Sequence, residues 1–295
     1  MIRHRPASYH APVTFQLACG PDGRAVLVDG DGVHDLERVS DRAFGSDPME
    51  ALARHRDLHA VAEGLAGTEP DTEFDVAKLG PPVPRPQKVF GIGLNYKDHA
   101  AESNNEIPDT PLIFTKFPSC LNGPAGDVIV WGPTTDWEAE LVVVIGTGGR
   151  GIGGADAWDH IAGLTCGQDI SERRTQRAGK PPQFSMGKSY DSFGPTGPAV
   201  VSVDSFDDPD DLEISCWVND ERKQHARTSL LIFSVPELVA FISGITTLVP
   251  GDMIFTGTPA GVGAAAGTFL SPGDVVRTTI EGIGTMTNNC VAPPG

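Results

Sequence analysis

The chain has 295 residues, 39% of them hydrophobic and 21% charged, with a formal net charge of −17. That length accommodates one large domain, or a main domain with a small one, and 35 glycines with 25 prolines point to a turn-rich, mostly β chain. The negative charge argues against nucleic acid and anionic membranes as partners, and no stretch is apolar for long enough to span a bilayer.

Residues 1–75 read as a small N-terminal α/β unit. Short strands are expected at Val13–Leu17, Ala25–Val28 and Val33–Leu36, separated by Gly-Pro-Asp-Gly and Asp-Gly-Asp-Gly turns. A polar helix from about Pro48 to Leu65 follows. The proline-dense Gly80–Pro86 segment predicts an extended linker over 76–87. From 88 to 295 the pattern is α+β and mostly strand, without regular βαβ alternation. Strands are expected at Lys88–Ile92, Leu112–Lys116, Trp137–Ile145, Ile161–Asp169, Ala199–Val203, Glu213–Val218, Asp252–Thr256 and Val275–Ile280. A helical turn is expected over Tyr96–Glu102, then a polar loop over Ser103–Pro111. Val235–Ser243, with Pro236 in its first turn, is the strongest helix pattern. Five scattered cysteines (Cys19, Cys120, Cys166, Cys216, Cys290) without CxxC spacing fit a reducing cytoplasm better than a disulfide framework or a zinc site.

The densest chemistry lies in Asp136-Trp137-Glu138-Ala139-Glu140-Leu141-Val142-Val143-Val144-Ile145-Gly146. A strand sends residues i and i+2 to one face, so Glu138 and Glu140 point into one space at the mouth of an apolar run. Two buried like charges are costly alone. A hard divalent cation relieves them, because Mg²⁺, Mn²⁺ and Ca²⁺ take oxygen ligands. Asp169, ending the Ile161–Asp169 strand, offers a third carboxylate. The plain alternative is that these are surface acids in a chain that has 39 of them.

Three further clusters stand out. In a helical turn His99 and Glu102, at i and i+3, share a face, and the carboxylate orients the imidazole as a general base. The following polar loop suits a lid. Lys188 sits among small residues in Ser185-Met186-Gly187-Lys188-Ser189-Tyr190-Asp191, within reach of an anion. Backbone N–H groups of Thr256-Gly257-Thr258-Pro259-Ala260-Gly261-Val262-Gly263, with the Thr258 hydroxyl, are suited to hold a carboxylate. Two other readings are set aside. Gly146-Thr147-Gly148-Gly149-Arg150-Gly151 matches GxGxxG, but Ile152-Gly153-Gly154 starts a helix poorly, and a Rossmann first strand does not carry two glutamates. There is no GxSxG nucleophile elbow.

Taken in order, these clusters resemble the fumarylacetoacetate hydrolase family, in its short bacterial form. The matching elements are Gly91-Ile92-Gly93-Leu94-Asn95-Tyr96 with His99 and Glu102, Phe114-Thr115-Lys116, Asp136 through Gly146, and Gln168-Asp169-Ile170-Ser171-Glu172-Arg173. Gly187-Lys188-Ser189-Tyr190-Asp191 through Pro198, and Thr256 through Gly263, complete them. The resemblance implies a mixed β-roll catalytic domain behind a variable N-terminal domain, in a homodimer. It implies Mg²⁺ or Mn²⁺, with Ca²⁺ as a substitute in a crystal, held by Glu138, Glu140 and Asp169. Lys188 would sit beside the metal, Arg173 and Thr258 near the substrate carboxylate, and His99 with Glu102 on the lid. Lys116 and Gln168 are further substrate-contact candidates within the matching motifs.

The activity so implied is metal-dependent cleavage of a C–C bond in a 2,4-dioxo acid. His99 would activate water, and Lys188 would offset developing charge. The alternative is a decarboxylase, tautomerase or isomerase of an enolisable 2-oxo acid, oxaloacetate-like or from aromatic meta-cleavage. A catalytically silent metal- or ligand-binding protein on the same fold is the remaining class.

Overall fold

The computed structural model describes residues 14–102, 104 and 106–295. Val13 of the expected first strand, and Ser103 and Asn105 of the expected lid loop, lie outside the described residues. The fold is organised around the strand Ala139–Ile145, whose seven residues are all buried. Branched side chains favour the extended backbone. Leu141, Val143 and Ile145 enter one apolar cluster, whereas Val142 and Val144 enter another. A strand covered on both faces reads as a continuous apolar run. At roughly 1.5–3 kcal/mol each, these five side chains supply on the order of 10 kcal/mol before chain entropy is set against them.

This strand is central to an 11-stranded mixed sheet. On one side it pairs antiparallel with Met253–Phe255, followed by Val89–Gly93 in parallel and Leu112–Thr115 at the edge. On the other it pairs antiparallel with Ile161–Gln168, followed by Gly194–Val201. A second, five-stranded sheet contains Glu221–Arg227, Glu213–Val218, Val275–Ile280, Gly284–Val291 and Val128–Ile129. Its Ile214, Cys216, Val276 and Met286 share a cluster with Leu141 and Val143. The same cluster takes Leu238, Val239 and Ile242 of the helix Val235–Ile245. A capping box of Ser234 and Glu237 starts that helix.

The N-terminal region is less separate than its composition suggests. Gln16–Cys19 pairs with Gly194–Val201 and extends the large sheet through Ala25–Asp29, Gly32–Asp35 and Thr72–Glu73. Leu52 and Leu58 join Val142, Val144 and Phe255 in one cluster, so this region closes the second face of the sheet. The expected long helix is two, Pro48–Ala53 and His55–Glu63, broken at Arg54. The proline segment is pinned as well, with Gly80 bridging to Cys19 and Val83 buried. The rejected GxGxxG segment is a turn; Gly149 bridges to Leu248 and a 3-10 helix, Gly154–His160, follows.

Candidate metal centre and active site

Strand register assembles the acidic cluster. Ala139 stands opposite Gln168 and Glu140 opposite Gly167. One step further out, the Asp169 N–H donates to the Glu138 carbonyl at 2.9 Å. Directly opposed residues share a face, so Glu138, Glu140 and Asp169 converge, each with an oxygen within 4.8 Å of the others. All three are buried. The same register turns Gln168 away. It shares the face of Ala139, accepts the Glu138 N–H at 2.9 Å and donates to Thr278 Oγ1 at 2.8 Å. Gln168 is therefore a link between the two sheets and does not line the cavity, contrary to its expected substrate contact.

Three cations serve this cluster. Lys188 Nζ lies 2.5 Å from Glu138 Oε2 and 2.6 Å from Asp169 Oδ2. Arg173 Nη1 is 2.7 Å from Glu138 Oε1, while its Nε donates to Asp136 Oδ2 at 2.8 Å. Lys116 Nζ contacts Asp169 Oδ1 at 2.6 Å and donates to the carbonyls of Lys188 and Phe193. Lys116 is wholly buried behind Asp169. It is a prop for that carboxylate rather than the expected substrate contact, because it does not line the cavity and all three of its ammonium donors are engaged.

Glu140 is the exception. Its carboxylate accepts the Gly257 N–H at 2.8 Å and pairs with no cation among the described residues. Burial, then Asp169 and Glu138, push its carboxyl well above the usual range. Burial also raises Glu138, but Lys188 and Arg173 outweigh it and hold that group well below. Three cations thus face four carboxylates (Asp136, Glu138, Glu140 and Asp169), leaving one negative charge unmatched at Glu140. A divalent ion fits this donor set. It would be met by oxygen ligands alone and would turn the local balance positive, ready for an anionic substrate.

The glycine loop does hold carboxylates, but they are the protein's own. Gly257 N–H serves Glu140, Gly261 N–H serves Glu102 at 2.9 Å, and the Gly263 and Ala264 N–H groups serve Asp136 at 2.7 and 2.9 Å. Gly257 and Gly261 have φ of +106° and +103°, a region that side chains rarely adopt. A Cβ at Gly261 would also lie 1.9 Å from the Lys223 carbonyl oxygen. Thr258 lines the cavity, yet its hydroxyl donates to the Ala139 carbonyl and accepts from Gln224 Nε2. Asp136, Gln224 and Gln176, which accepts from Arg173 Nη1 at 2.9 Å, organise the site although none had been singled out from the sequence.

His99 and Glu102 lie on the helix Lys97–Glu102. His99 Nδ1 is 2.8 Å from Glu102 Oε1, which places a proton on Nδ1; in the neutral imidazole Nε2 then carries the lone pair. Burial raises the Glu102 carboxyl, but His99 and the Gly261 N–H outweigh it, and the net direction is down. A cavity of about 600 Å³ brings His99, Glu138, Glu140, Arg173, Lys188 and Thr258 together. Ile92, Leu112, Phe114, Phe184 and Val262 form its apolar wall. A larger open depression of about 800 Å³ lies against Arg24, Asp35 and Asp71. Among the described residues, only the Glu138–Glu140–Asp169 group has metal-ligand spacing, so chemistry favours the smaller cavity.

Residues 88–291 match the model of the fumarylacetoacetate (FAA) hydrolase C-terminal domain. The chain belongs to the fumarylacetoacetate hydrolase family. Mitochondrial oxaloacetate tautomerase FAHD2B of Bos taurus is 44% identical over 79% of this chain and 76% of its own length. A crystal structure of a candidate HpcE protein from Mycobacterium smegmatis shares 46% identity, covers 95% of this chain and 100% of that one, and superposes with a TM-score of 0.87. Maleylpyruvate hydrolase from Sphingobium sp. SYK-6, solved with manganese(II) and pyruvate, shares 29% identity, with 95% and 100% coverage and a TM-score of 0.79. This member of the fumarylacetoacetate hydrolase family is an enzyme of the hydrolase or isomerase/tautomerase type.

Proposed function

We propose that the protein is a Mg²⁺- or Mn²⁺-dependent enzyme that moves a proton at the carbon beside the 2-oxo group of an enolisable 2-oxo acid, as a tautomerase of oxaloacetate or a close analogue. The observation that carries this reading is the imidazole of His99, held by Glu102, in one cavity with Glu138 and Glu140 of the Glu138–Glu140–Asp169 cluster. The tautomerases at 44% identity support the reaction type. Bound by those three carboxylates, the ion would supply Lewis acidity toward the 2-oxo acid. His99 Nε2 takes the proton from C3, Glu102 holds Nδ1–H in place, and the proton returns at the 2-oxo oxygen. Lys188 Nζ steadies the negative charge on that oxygen. Arg173 and Thr258 form the wall beside the substrate carboxylate.

Cavity volume favours a second reading. About 600 Å³ with an apolar wall exceeds what a four-carbon diacid fills and suits an acyl group. His99 would then activate water for C–C hydrolysis of a 2,4-dioxo acid. Oxaloacetate and a series of acylpyruvates, with Mn²⁺ and with chelator, decide between the two. Loss of enol ultraviolet absorbance without new products supports the tautomerase; two acids from one support the hydrolase; carbon dioxide release supports a decarboxylase. No metal-dependent change with any of them refutes both readings. We further propose a cytoplasmic homodimer. Five free, buried cysteines support the compartment. Exposed Leu112, Phe117 and Met186 near the edge strand Leu112–Thr115 support the assembly.

No helix among the described residues is long and apolar enough to cross a membrane.

A further inference from the structure

We propose that Arg177 is a specificity-determining residue of this cavity, reading the second carboxylate of a diacid substrate such as oxaloacetate at the end away from the 2-oxo group. This inference rests on the 2-oxo acid reading of the same cavity. Three cationic side chains line that cavity, Arg173, Arg177 and Lys188. Two are already committed: Lys188 to Glu138 and Asp169, Arg173 to Asp136, Glu138 and Gln176. Arg177 differs from both. It follows the short helix Arg173–Gln176, to which its backbone N–H is bonded, and its side chain is exposed. Its guanidinium has no hydrogen bond or ion pair with any described residue.

Arg177 is thus the one lysine or arginine lining the cavity that has no ion pair among the described residues. The carboxylate beside a 2-oxo group belongs with the buried end, where the charge balance turns positive once a divalent ion binds. A second carboxylate, at the other end of the molecule, would meet Ile92, Phe114, Phe184 and Val262, none of which donates from its side chain. In a chain of net charge −17, a distal anion has long-range repulsion to overcome and one local partner to offset it. A guanidinium suits it, because it binds a carboxylate through two parallel N–H bonds.

The test compares 2-oxopentanedioate with 2-oxopentanoate, which differ only in the distal carboxylate, by calorimetric binding to the Mn²⁺-loaded protein. The wild type is expected to prefer the diacid by about tenfold, a size set by one solvent-facing bidentate contact. Arg177→Met should bring the two acids near parity, and Arg177→Lys should keep part of the preference. Rising salt should shrink the wild-type preference. An unchanged ratio in Arg177→Met, or parity in the wild type, overturns this assignment and leaves the 2-oxo acid reading standing. Failure of both acids to bind the Mn²⁺-loaded wild type overturns that reading and this one with it.

Discussion

Glu140→Gln should make the metal-free protein more stable and should remove most of the stabilisation that metal gives. The side chain is 1% exposed, and its only hydrogen bond among the described residues is from Gly257, which an amide oxygen of the same shape can keep. No cavity is created. What disappears is a buried charge held beside Asp169 and Glu138. A carboxyl whose folded value is raised contributes stability that is complete below its unfolded value, about pH 4.3. That contribution is lost as pH rises through the folded value, by at most about 1.4 kcal/mol per pH unit. Removing such a group is worth roughly 2–4 kcal/mol at pH 8, and near pH 4 the difference should vanish. For a chain of this length 1 kcal/mol moves Tm by about 2 °C, so the variant should unfold about 4–8 °C above the wild type in chelator.

Metal closes that gap. At a hundredfold excess of Mn²⁺ over Kd the wild type gains about 2.7 kcal/mol, or about 5 °C. The variant, with an amide for one of three anionic ligands, should gain far less. Calorimetric melting of both proteins at two pH values, with Mn²⁺ and with chelator, reads all four quantities. A variant no more stable than the wild type in chelator at pH 8 would refute the charge argument. Equal stabilisation of both proteins by Mn²⁺ would remove Glu140 from the ligand set.

Further outcomes follow from the same contacts. His99→Ala should lower turnover by about 10²–10⁴-fold while calorimetry finds Mn²⁺ affinity intact; retained turnover would exclude His99 as the base. Lys116→Met leaves Asp169 Oδ1 buried without its cation and should cost about 3–5 kcal/mol of stability. A change in KM alone, with an unaltered Tm, would return Lys116 to the substrate. Glu102, whose carboxyl is lowered on folding, stabilises the fold above its unfolded value and ceases to do so as pH falls through the folded one. The Tm gap between wild type and Glu102→Gln should therefore be widest near neutrality and close in acid, and a gap independent of pH would contradict that sign.

The acidic cluster was legible because strand parity is local. Glu138 and Glu140 need only each other and the apolar run behind them to declare a shared face, and Asp169 was offered by its place at the end of the expected Ile161–Asp169 strand. Asp136 extends the same i, i+2 spacing by one step, so the signal for it was present and went unused. Gln168 and Lys116 were not legible in this way. Which face Gln168 takes depends on standing opposite Ala139 rather than Glu140, and a register is a property of two strands. Whether Lys116 reaches substrate or props Asp169 depends on what lies behind the sheet. Glu221–Arg227 escaped notice for a related reason. Gln224 is its only fully buried residue, so the strand has no apolar period to read. The continuity of the N-terminal strands with the catalytic sheet is likewise a pairing, Leu17 opposite Val200, and not a composition.

The glycine loop shows what those pairings accomplish for the chemistry. From sequence, its N–H groups looked free for a substrate carboxylate; in the structure they are occupied by Glu140, Glu102 and Asp136. One backbone segment therefore fixes a metal-ligand candidate, the partner of the imidazole and the anchor of Arg173 together. Groups fixed in this way need little reorganisation when charge develops on a bound oxo acid. On the proposed reading, the recognition of substrate anions would fall to the bound ion and to the cations of the wall. Of the three wall cations only Arg177 is uncommitted, so exchange of that one residue should alter selectivity among oxo acids while the machinery behind it stays in place.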